Sequence, residues 1–110
     1  MAHFEARTST AGGQIVVTLT GECDLAVRDE LTTVLTAATG DAAVVTVDVG
    51  GLLFLDSSGL HSLVTAHHRA RADGRRLYVV NAGGPVAAVL EVTGVGNLLR
   101  APADDPRLAG

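Results

Sequence analysis

The hydrophobic and polar positions of the first twenty residues form strand-like runs. Two runs with strand character, residues 4–10 and 14–20, are separated by the turn sequence Ala11-Gly12-Gly13. A period of two predicts a half-buried strand, and the second run shows it at Ile15, Val17 and Leu19. A glycine pair between two such runs predicts a β-hairpin, and we expect Gly21 to end its second strand.

Helical and strand patterns alternate through the rest of the chain. Asp24 is a suitable N-cap for a helix whose apolar side chains recur every three or four residues, and we expect Gly40 to end it. Residues 58–72 repeat that spacing, and a third helix starts at Pro85 and ends before Gly94. Short apolar runs between and after these helices predict strands at residues 43–49, 77–80 and 98–101.

This order, β-β-α-β-α-β-α-β, predicts a small α/β domain. Strands that alternate with helices pair in parallel through crossover helices, whereas the hairpin is antiparallel. The sheet is therefore mixed, and we expect the helices to pack on one of its faces. The 110 residues are enough for one domain. We assign it to residues 1–102 and expect residues 103–110 to form a frayed tail, because they hold few apolar side chains.

The composition limits the kinds of partner. Hydrophobic residues make up 47% of the chain and aromatic residues only 3%, so the core must be built from Val, Leu and Ala. The net charge is −4, and the 8 basic residues are all arginines that lie scattered along the chain. Nucleic-acid binding needs a face of clustered positive charge, and base stacking needs aromatic side chains. The composition therefore argues against a nucleic-acid partner.

The chain shows no sign of export, membrane insertion or metal binding. Cys23 is the only cysteine, which rules out an internal disulfide and a cysteine-based zinc site. The N-terminus lacks the charged and apolar regions of a signal peptide, and no apolar run approaches the length of a membrane span. We therefore expect a cytoplasmic domain that needs no cofactor.

The candidate chemistry lies where the apolar run 52–55 meets the second helix. Asp56, Ser57 and Ser58 stand in the turn that opens this helix. Free backbone N–H groups and the positive end of the helix dipole favour an anion there. Two interpretations follow from the residues alone. Either these side chains cap the helix, as Ser and Asp commonly do, or a hydroxyl carries a functional phosphate.

Three segments resemble the STAS-domain family of anti-sigma factor antagonists. They are Gly21-Glu22-Cys23-Asp24, Asp56-Ser57-Ser58-Gly59-Leu60, and Val92-Thr93-Gly94-Val95 followed by Leu98-Leu99. The second segment resembles the phosphorylation motif of that family, and the order of elements matches over nearly the whole chain. The resemblance implies a STAS fold and places the phosphorylated hydroxyl on Ser57.

The resemblance also implies partners. An antagonist of this family binds an anti-sigma factor and so releases a sigma factor. The anti-sigma factor is also the serine kinase that uses ATP, and a metal-dependent serine phosphatase reverses its action. The free antagonist is expected to be a monomer. The expected partner surface consists of Asp24, Asp56, Ser57, Ser58, Gly59, Leu60 and His61.

Phosphorylation would make this surface strongly negative. A phosphate on Ser57 adds a charge of about −1.5 to −2 beside Asp56, which would repel a docked partner. We expect the N–H groups of Gly59 and Leu60 to hold that phosphate. Two departures from the family, Cys23 in place of Leu and His61 where Gly is frequent, leave the fold intact and bear on the choice of partner.

Two other functional classes are open. A non-switching STAS module would be a scaffold in a signalling assembly or an accessory subunit of a membrane transporter. An enzyme with Ser57 as nucleophile is disfavoured, because a nucleophile elbow needs glycine two residues before the serine and Leu55 stands there. We therefore expect no enzymatic activity.

The histidines of the second helix have different prospects. His67 lies on the apolar stripe, and we expect it at the edge of the core with one ring nitrogen hydrogen-bonded. His61 lies one turn beyond Ser57 and is the candidate for a partner contact.

Overall fold

The computed structural model describes residues 3–100, which form one four-stranded sheet and four α-helices. The strands are β1 (Glu5–Ala11), β2 (Gln14–Cys23), β3 (Val44–Leu55) and β4 (Arg76–Val80). A 3₁₀ turn at Leu25–Val27 precedes the first of the helices, which are α1 (Arg28–Asp41), α2 (Ser57–Ala72), α3 (Gly84–Thr93) and α4 (Val95–Leu99). The tail predicted at residues 103–110 lies outside the described residues.

The sheet is mixed, as predicted. Its strands lie in the order β1-β2-β3-β4, with β1 antiparallel to β2 and the other two pairs parallel. The β1–β2 connection is a two-residue turn in which Gly12 and Gly13 have φ angles of 59° and 79°. Positive φ at both turn positions matches the twist of a hairpin, and glycine adopts it without steric cost.

One aliphatic core lies between the sheet and the helices. The strands contribute fully buried side chains, among them Val17, Leu19, Val45, Val47 and Leu77. The helices add to the same cluster Leu31, Leu35, Leu63, Val86, Leu90 and Leu99. On the other side of the sheet Val16, Thr18 and Thr46 are half-buried, whereas Val44 and Tyr78 are buried. The prediction of an aliphatic core under helices on one face is confirmed.

Helices α1 and α2 lie side by side and run in the same direction. Each follows one of the parallel strands β2 and β3, so both helices begin at the same edge of the sheet. Across the pair, Thr32 Oγ1 lies 3.2 Å from Ser62 Oγ. The first turns of the two helices are therefore neighbours.

The prediction of a last strand at residues 98–101 is wrong. Gly94 ends α3 with a left-handed φ of 76°, and the chain then enters α4; residue 101 lies outside the described residues. Leu99 is 1% exposed and belongs to the core, whereas Leu98 is 38% exposed. One buried and one exposed neighbour fit a strand and a helix equally well, so two leucines carry too little periodicity to decide between them.

Three predicted boundaries also differ. β2 passes through Gly21 and ends at Cys23, and its register against β3 shifts after Gly21. Gly21 has a φ of 90°, and a Cβ there would overlap the carbonyl oxygen of His3, so only glycine fits. α1 includes Gly40 and begins at Arg28, because Asp24 caps the preceding 3₁₀ turn instead.

Candidate functional site

The candidate site is the first turn of α2, residues 56–60, which we call the serine turn. It follows β3, in which the predicted strand 43–49 and the apolar run 52–55 are one continuous element. Asp56 is the N-cap of α2. Its carboxylate accepts hydrogen bonds from the N–H groups of Ser58 at 2.9 Å and Gly59 at 3.2 Å. Because Asp56 caps the helix, the serine hydroxyls are not needed for that role.

Ser57 and Ser58 differ in their exposure. Ser57 is the first residue of α2 and is exposed, and its hydroxyl makes no hydrogen bond within residues 3–100. Ser58 is half-buried; its N–H donates to Asp56, and its carbonyl oxygen accepts from Ser62 Oγ at 3.2 Å. Of the two hydroxyls, that of Ser57 is the accessible one.

The backbone of the serine turn has fewer free donors than predicted. The N–H of Gly59 donates to the Asp56 carboxylate, and the N–H of Leu60 donates to the Asp56 carbonyl oxygen at 3.0 Å. In the unmodified protein both donors are therefore occupied, which argues against the prediction that they would hold a phosphate on Ser57. Asp56 takes both donors because it is the cap residue of the same turn. A phosphate there must find other partners.

The loop after β2 lies against the serine turn. The N–H of Asp56 donates to the carbonyl oxygen of Cys23 at 3.1 Å. The next residue, Asp24, accepts a hydrogen bond from the N–H of Ala26 at 3.0 Å and so caps the 3₁₀ turn. Burial raises the pKa of the Cys23 thiol to about 11, and the carboxylates of Asp56 and then Asp24 add to the effect. Two cap carboxylates thus lie close to one buried thiol.

Gly59 is required by close packing. A Cβ at this position would lie 2.6 Å from Cys23 Sγ and 2.7 Å from Leu55 Cδ1. Leu60 is 8% exposed and belongs to the core cluster. Gly59 and Leu60, which the sequence analysis places on the partner surface, are therefore buried and support that surface from beneath. The exposed members of the set are Ser57 and His61, with Asp24, Asp56 and Ser58 half-buried.

His61 lies one turn along α2 from Ser57. Its side chain is exposed, and its Nε2 lies 3.5 Å from Thr65 Oγ1, the limit of a weak hydrogen bond. An exposed ring with one weak contact can rotate toward either end of the helix. His61 is therefore available to a group placed on Ser57 or to a partner.

Three exposed apolar side chains close in sequence to the cap residues were not predicted. Leu53 and Phe54, at the end of β3, are 66% and 45% exposed, and Leu25, next to Asp24, is 61% exposed. We call Leu25, Leu53 and Phe54 the apolar rim. The run 52–55 could have indicated this exposure, because consecutive strand residues point to opposite faces of a sheet and four apolar residues in a row cannot all reach the core.

His67 is buried at 4% exposure, on the apolar stripe where it was predicted. Neither ring nitrogen has a partner at normal hydrogen-bond geometry within residues 3–100, and a weak interaction with the backbone of Leu77 stands in place of the predicted hydrogen bond. Burial lowers the pKa of His67, and His68, Arg71 and Arg76 lower it further, while the nearby backbone of Leu77 opposes them in part. The ring is accordingly held in its neutral form.

Among residues 3–100, no three His, Cys, Asp or Glu side chains are grouped so that they could hold a metal ion. None of the helices in this range has the length and apolar character needed to cross a membrane. The candidate site itself presents the exposed hydroxyl of Ser57, the cap carboxylates of Asp24 and Asp56, and the exposed imidazole of His61.

Solved structures with this fold include antagonists and a transporter protein. An anti-sigma factor antagonist from Mycobacterium paratuberculosis superposes with a TM-score of 0.81 at 22% identity, over 94% of this chain and 90% of the other. The antagonist SpoIIAA in its unphosphorylated form gives 0.75 at 20% identity, over 96% and 91%. The Bacillus cell fate determinant SpoIIAA in its phosphorylated form gives 0.69 at 19%, over 96% and 95%. A sulfate transporter family protein from Wolinella succinogenes gives 0.69 at 19%, over 83% and 75%.

Identities this low establish a common fold and nothing further. No curated protein sequence matches this chain. A family model does match it: STAS_2, described as "Mlab, STAS domain", aligns with residues 6–100. The match takes in the serine turn, the loop after β2 and all four helices. The chain therefore belongs to the STAS_2 family of STAS domains.

Proposed function

We propose that this chain is an anti-sigma factor antagonist, which binds an anti-sigma factor, releases a sigma factor, and is switched off by phosphorylation of Ser57. Its partner is an anti-sigma factor with serine kinase activity, and a serine phosphatase resets the switch. The chain itself works in the cytoplasm as a monomer when free, and it catalyses no reaction. ATP and metal ions belong to the partner enzymes.

The observation that carries this proposal is the state of the Ser57 hydroxyl. It is exposed at the first residue of α2 and makes no hydrogen bond to any residue from 3 to 100, because Asp56 provides the cap. A hydroxyl that serves only as a helix cap would accept a backbone N–H instead. The superposition on SpoIIAA, which has been solved unphosphorylated and phosphorylated, supports the same role for this turn.

The surroundings of Ser57 are suited to docking. The exposed side chains of the apolar rim lie close in sequence to the two cap residues: Leu25 follows Asp24, and Leu53 and Phe54 come within three residues of Asp56. Protein interfaces commonly combine an apolar centre with a polar border. A partner seated on the rim would cover Ser57, so a phosphate there would have to lose its hydration next to Asp56. This cost explains how one modification would prevent binding.

The test is to purify the tagged full-length chain from its native cells. The proposal predicts co-purification of an ATP-binding anti-sigma factor, and a phosphorylated fraction whose modified site maps to Ser57 by mass spectrometry. A Leu53→Ala, Phe54→Ala double variant should lose the partner while a Val92→Ala variant, altered at an equally exposed apolar residue of α3, should keep it. A chain that is unmodified in every growth phase and never recovers an anti-sigma factor would refute the proposal.

A second function is favoured by one observation, the superposition on a sulfate transporter family protein. The chain would then be a non-switching STAS module, either an accessory subunit of a membrane transporter or a scaffold of a signalling assembly. The same purification separates the two proposals. A co-purifying transporter subunit or a large assembly, together with an unmodified Ser57, would favour the second.

A further inference from the structure

A groove of about 300 Å³ lies between α1 and α2. Two arginines and a histidine line it, namely Arg28, Arg69 and His61, together with the carboxylate of Asp29. The hydroxyls of Thr32 and Ser62, 3.2 Å apart, join the helices across the groove. The groove thus carries more positive than negative side chains, in a protein whose net charge is −4.

On α2 the lining of this groove begins at His61, the residue that follows the serine turn. Because α1 and α2 run in the same direction and Thr32 lies opposite Ser62, one turn back along each helix places Arg28 beside Ser58. His61 is four residues after Ser57, and side chains with that spacing are neighbours on a helix surface. Arg28 is therefore placed next to Ser58, the neighbour of Ser57, and His61 one turn beyond Ser57.

Arg28 has unused hydrogen-bonding capacity. Its closest charged neighbour is Asp29, with Nε 3.8 Å from Oδ1, and the two side chains are 51% and 98% exposed. An exposed pair beyond hydrogen-bond distance contributes little, so Asp29 does not hold Arg28 in place. A guanidinium group has five N–H donors in a planar fork that fits phosphate oxygens.

The other sides of Ser57 are unfavourable for a phosphate. The N–H groups of Gly59 and Leu60 are already bonded to Asp56, and the carboxylates of Asp56 and Asp24 lie on the β2–β3 side. A negatively charged group on Ser57 is therefore driven toward the groove.

We propose that Arg28 and His61 hold the phosphoryl group of phosphorylated Ser57 at the mouth of the α1–α2 groove. This inference rests on the proposed function, since it concerns the modified state of the same serine. It also means that phosphorylation changes two surfaces at once. The serine turn gains negative charge, and the arginine at the start of α1 is withdrawn from any other partner.

The test uses full-length protein with phosphoserine placed at position 57 by genetic code expansion, so no kinase is required. The second pKa of phosphoserine is about 6, and ³¹P NMR titration measures it directly. We expect Arg28→Ala and His61→Ala to raise the phosphate pKa by roughly half a unit each, less than the 1–3 units of a close pair because the site is exposed. Arg69→Ala and His68→Ala are the matched controls, since both residues are exposed on α2 away from Ser57, and they should leave the phosphate pKa unchanged.

A second measurement guards against indirect effects. The Nε–H resonance of Arg28 should shift when Ser57 is phosphorylated, and that of Arg69 should not. Equal phosphate pKa values in the Arg28, His61 and Arg69 variants would overturn the proposal, as would an unmoved Arg28 resonance. Neither result depends on whether Ser57 is modified in cells, so failure here is distinguishable from failure of the proposed function.

Discussion

The backbone N–H of Asp56 donates a hydrogen bond to the carbonyl oxygen of Cys23 at 3.1 Å. This bond continues the pairing of the parallel strands β2 and β3 to the point where each strand ends and a helical turn begins. It brings the two cap residues Asp24 and Asp56 to one place, although 32 positions separate them in the sequence. The serine turn and the loop after β2 consequently form a single surface.

The accessibility of the two serines predicts which one is modified. Ser57→Ala should take up no phosphate from the partner kinase and ATP, because the exposed hydroxyl is lost. Ser58→Ala should be labelled at close to the normal rate, since Ser58 is half-buried and bonded through its backbone. Radiolabelling followed by site mapping checks both. Efficient labelling of Ser57→Ala would show that the assignment is wrong.

A permanent negative charge at position 57 should weaken partner binding. Ser57→Asp places a second carboxylate beside Asp56 on the surface that a partner would cover. An unpaired charge at an interface costs about 2 kcal/mol or more, which corresponds to roughly thirtyfold in Kd. Calorimetry with the anti-sigma factor measures the change, with Ser57→Asn as the uncharged control of similar size. Equal affinities for the two variants would exclude charge as the cause.

Close packing at Gly59 should make alanine costly there. Gly59→Ala forces a Cβ to within 2.6 Å of Cys23 Sγ, and such overpacking costs about 1–3 kcal/mol in the free energy of unfolding. Gly40→Ala is the matched control: Gly40 is helical with open space around it, so alanine should raise stability by up to about 1 kcal/mol. Chemical denaturation measures both.

The same overlap can be tested from its other side. In a Cys23→Ala background, Gly59→Ala should cost less, because the sulfur atom that it would meet is absent. The same loss of stability in both backgrounds would mean that Cys23 is not the obstacle.

The Cys23 thiol should be unreactive in the folded protein. It is fully buried, and burial followed by the carboxylates of Asp56 and Asp24 raises its pKa to about 11. Since the thiolate is the reactive form, native protein at pH 8 should react with a thiol reagent far more slowly than denatured protein. Rapid labelling of the native protein at the rate of a free thiol would show that the loop after β2 opens readily.

His67 should make the domain sensitive to acid. The pKa of His67 in the folded protein is lowered from the usual 6.5, mainly by burial. Between pH 6.5 and this lowered pKa, His67 is protonated in the unfolded chain and neutral in the folded protein, which favours unfolding. Stability is therefore retained above pH 6.5 and falls as the pH decreases toward the folded pKa. Urea denaturation from pH 7.5 to 5 should show a smaller fall for His67→Leu than for the wild type. His68→Ala, at an exposed neighbour, should behave like the wild type; if His67→Leu does so too, the acid sensitivity arises elsewhere.

The sequence by itself determined the local elements and the location of the chemistry. The period-two pattern around Val17 and the Gly12-Gly13 pair predicted the hairpin, because side-chain alternation and positive φ are properties of a few neighbouring residues. The helical spacing after residue 57 likewise placed Ser57 at the start of a helix, which the structure shows as α2. The pattern failed where it was short, at Leu98 and Leu99, since two residues cannot distinguish a period of two from one of 3.6.

Only the tertiary structure decided how these pieces meet at the site. The contact between Cys23 and Asp56 depends on the register of two parallel strands, which shifts near Gly21 in a way that no local pattern encodes. The sequence also did not show which side chain accepts the N–H groups of the first turn of α2. Asp56, Ser57 and Ser58 can all cap a helix, and only the folded turn shows that Asp56 does so. The contact between Thr32 and Ser62, which makes the first turns of α1 and α2 neighbours, likewise depends on helix packing between residues 30 positions apart.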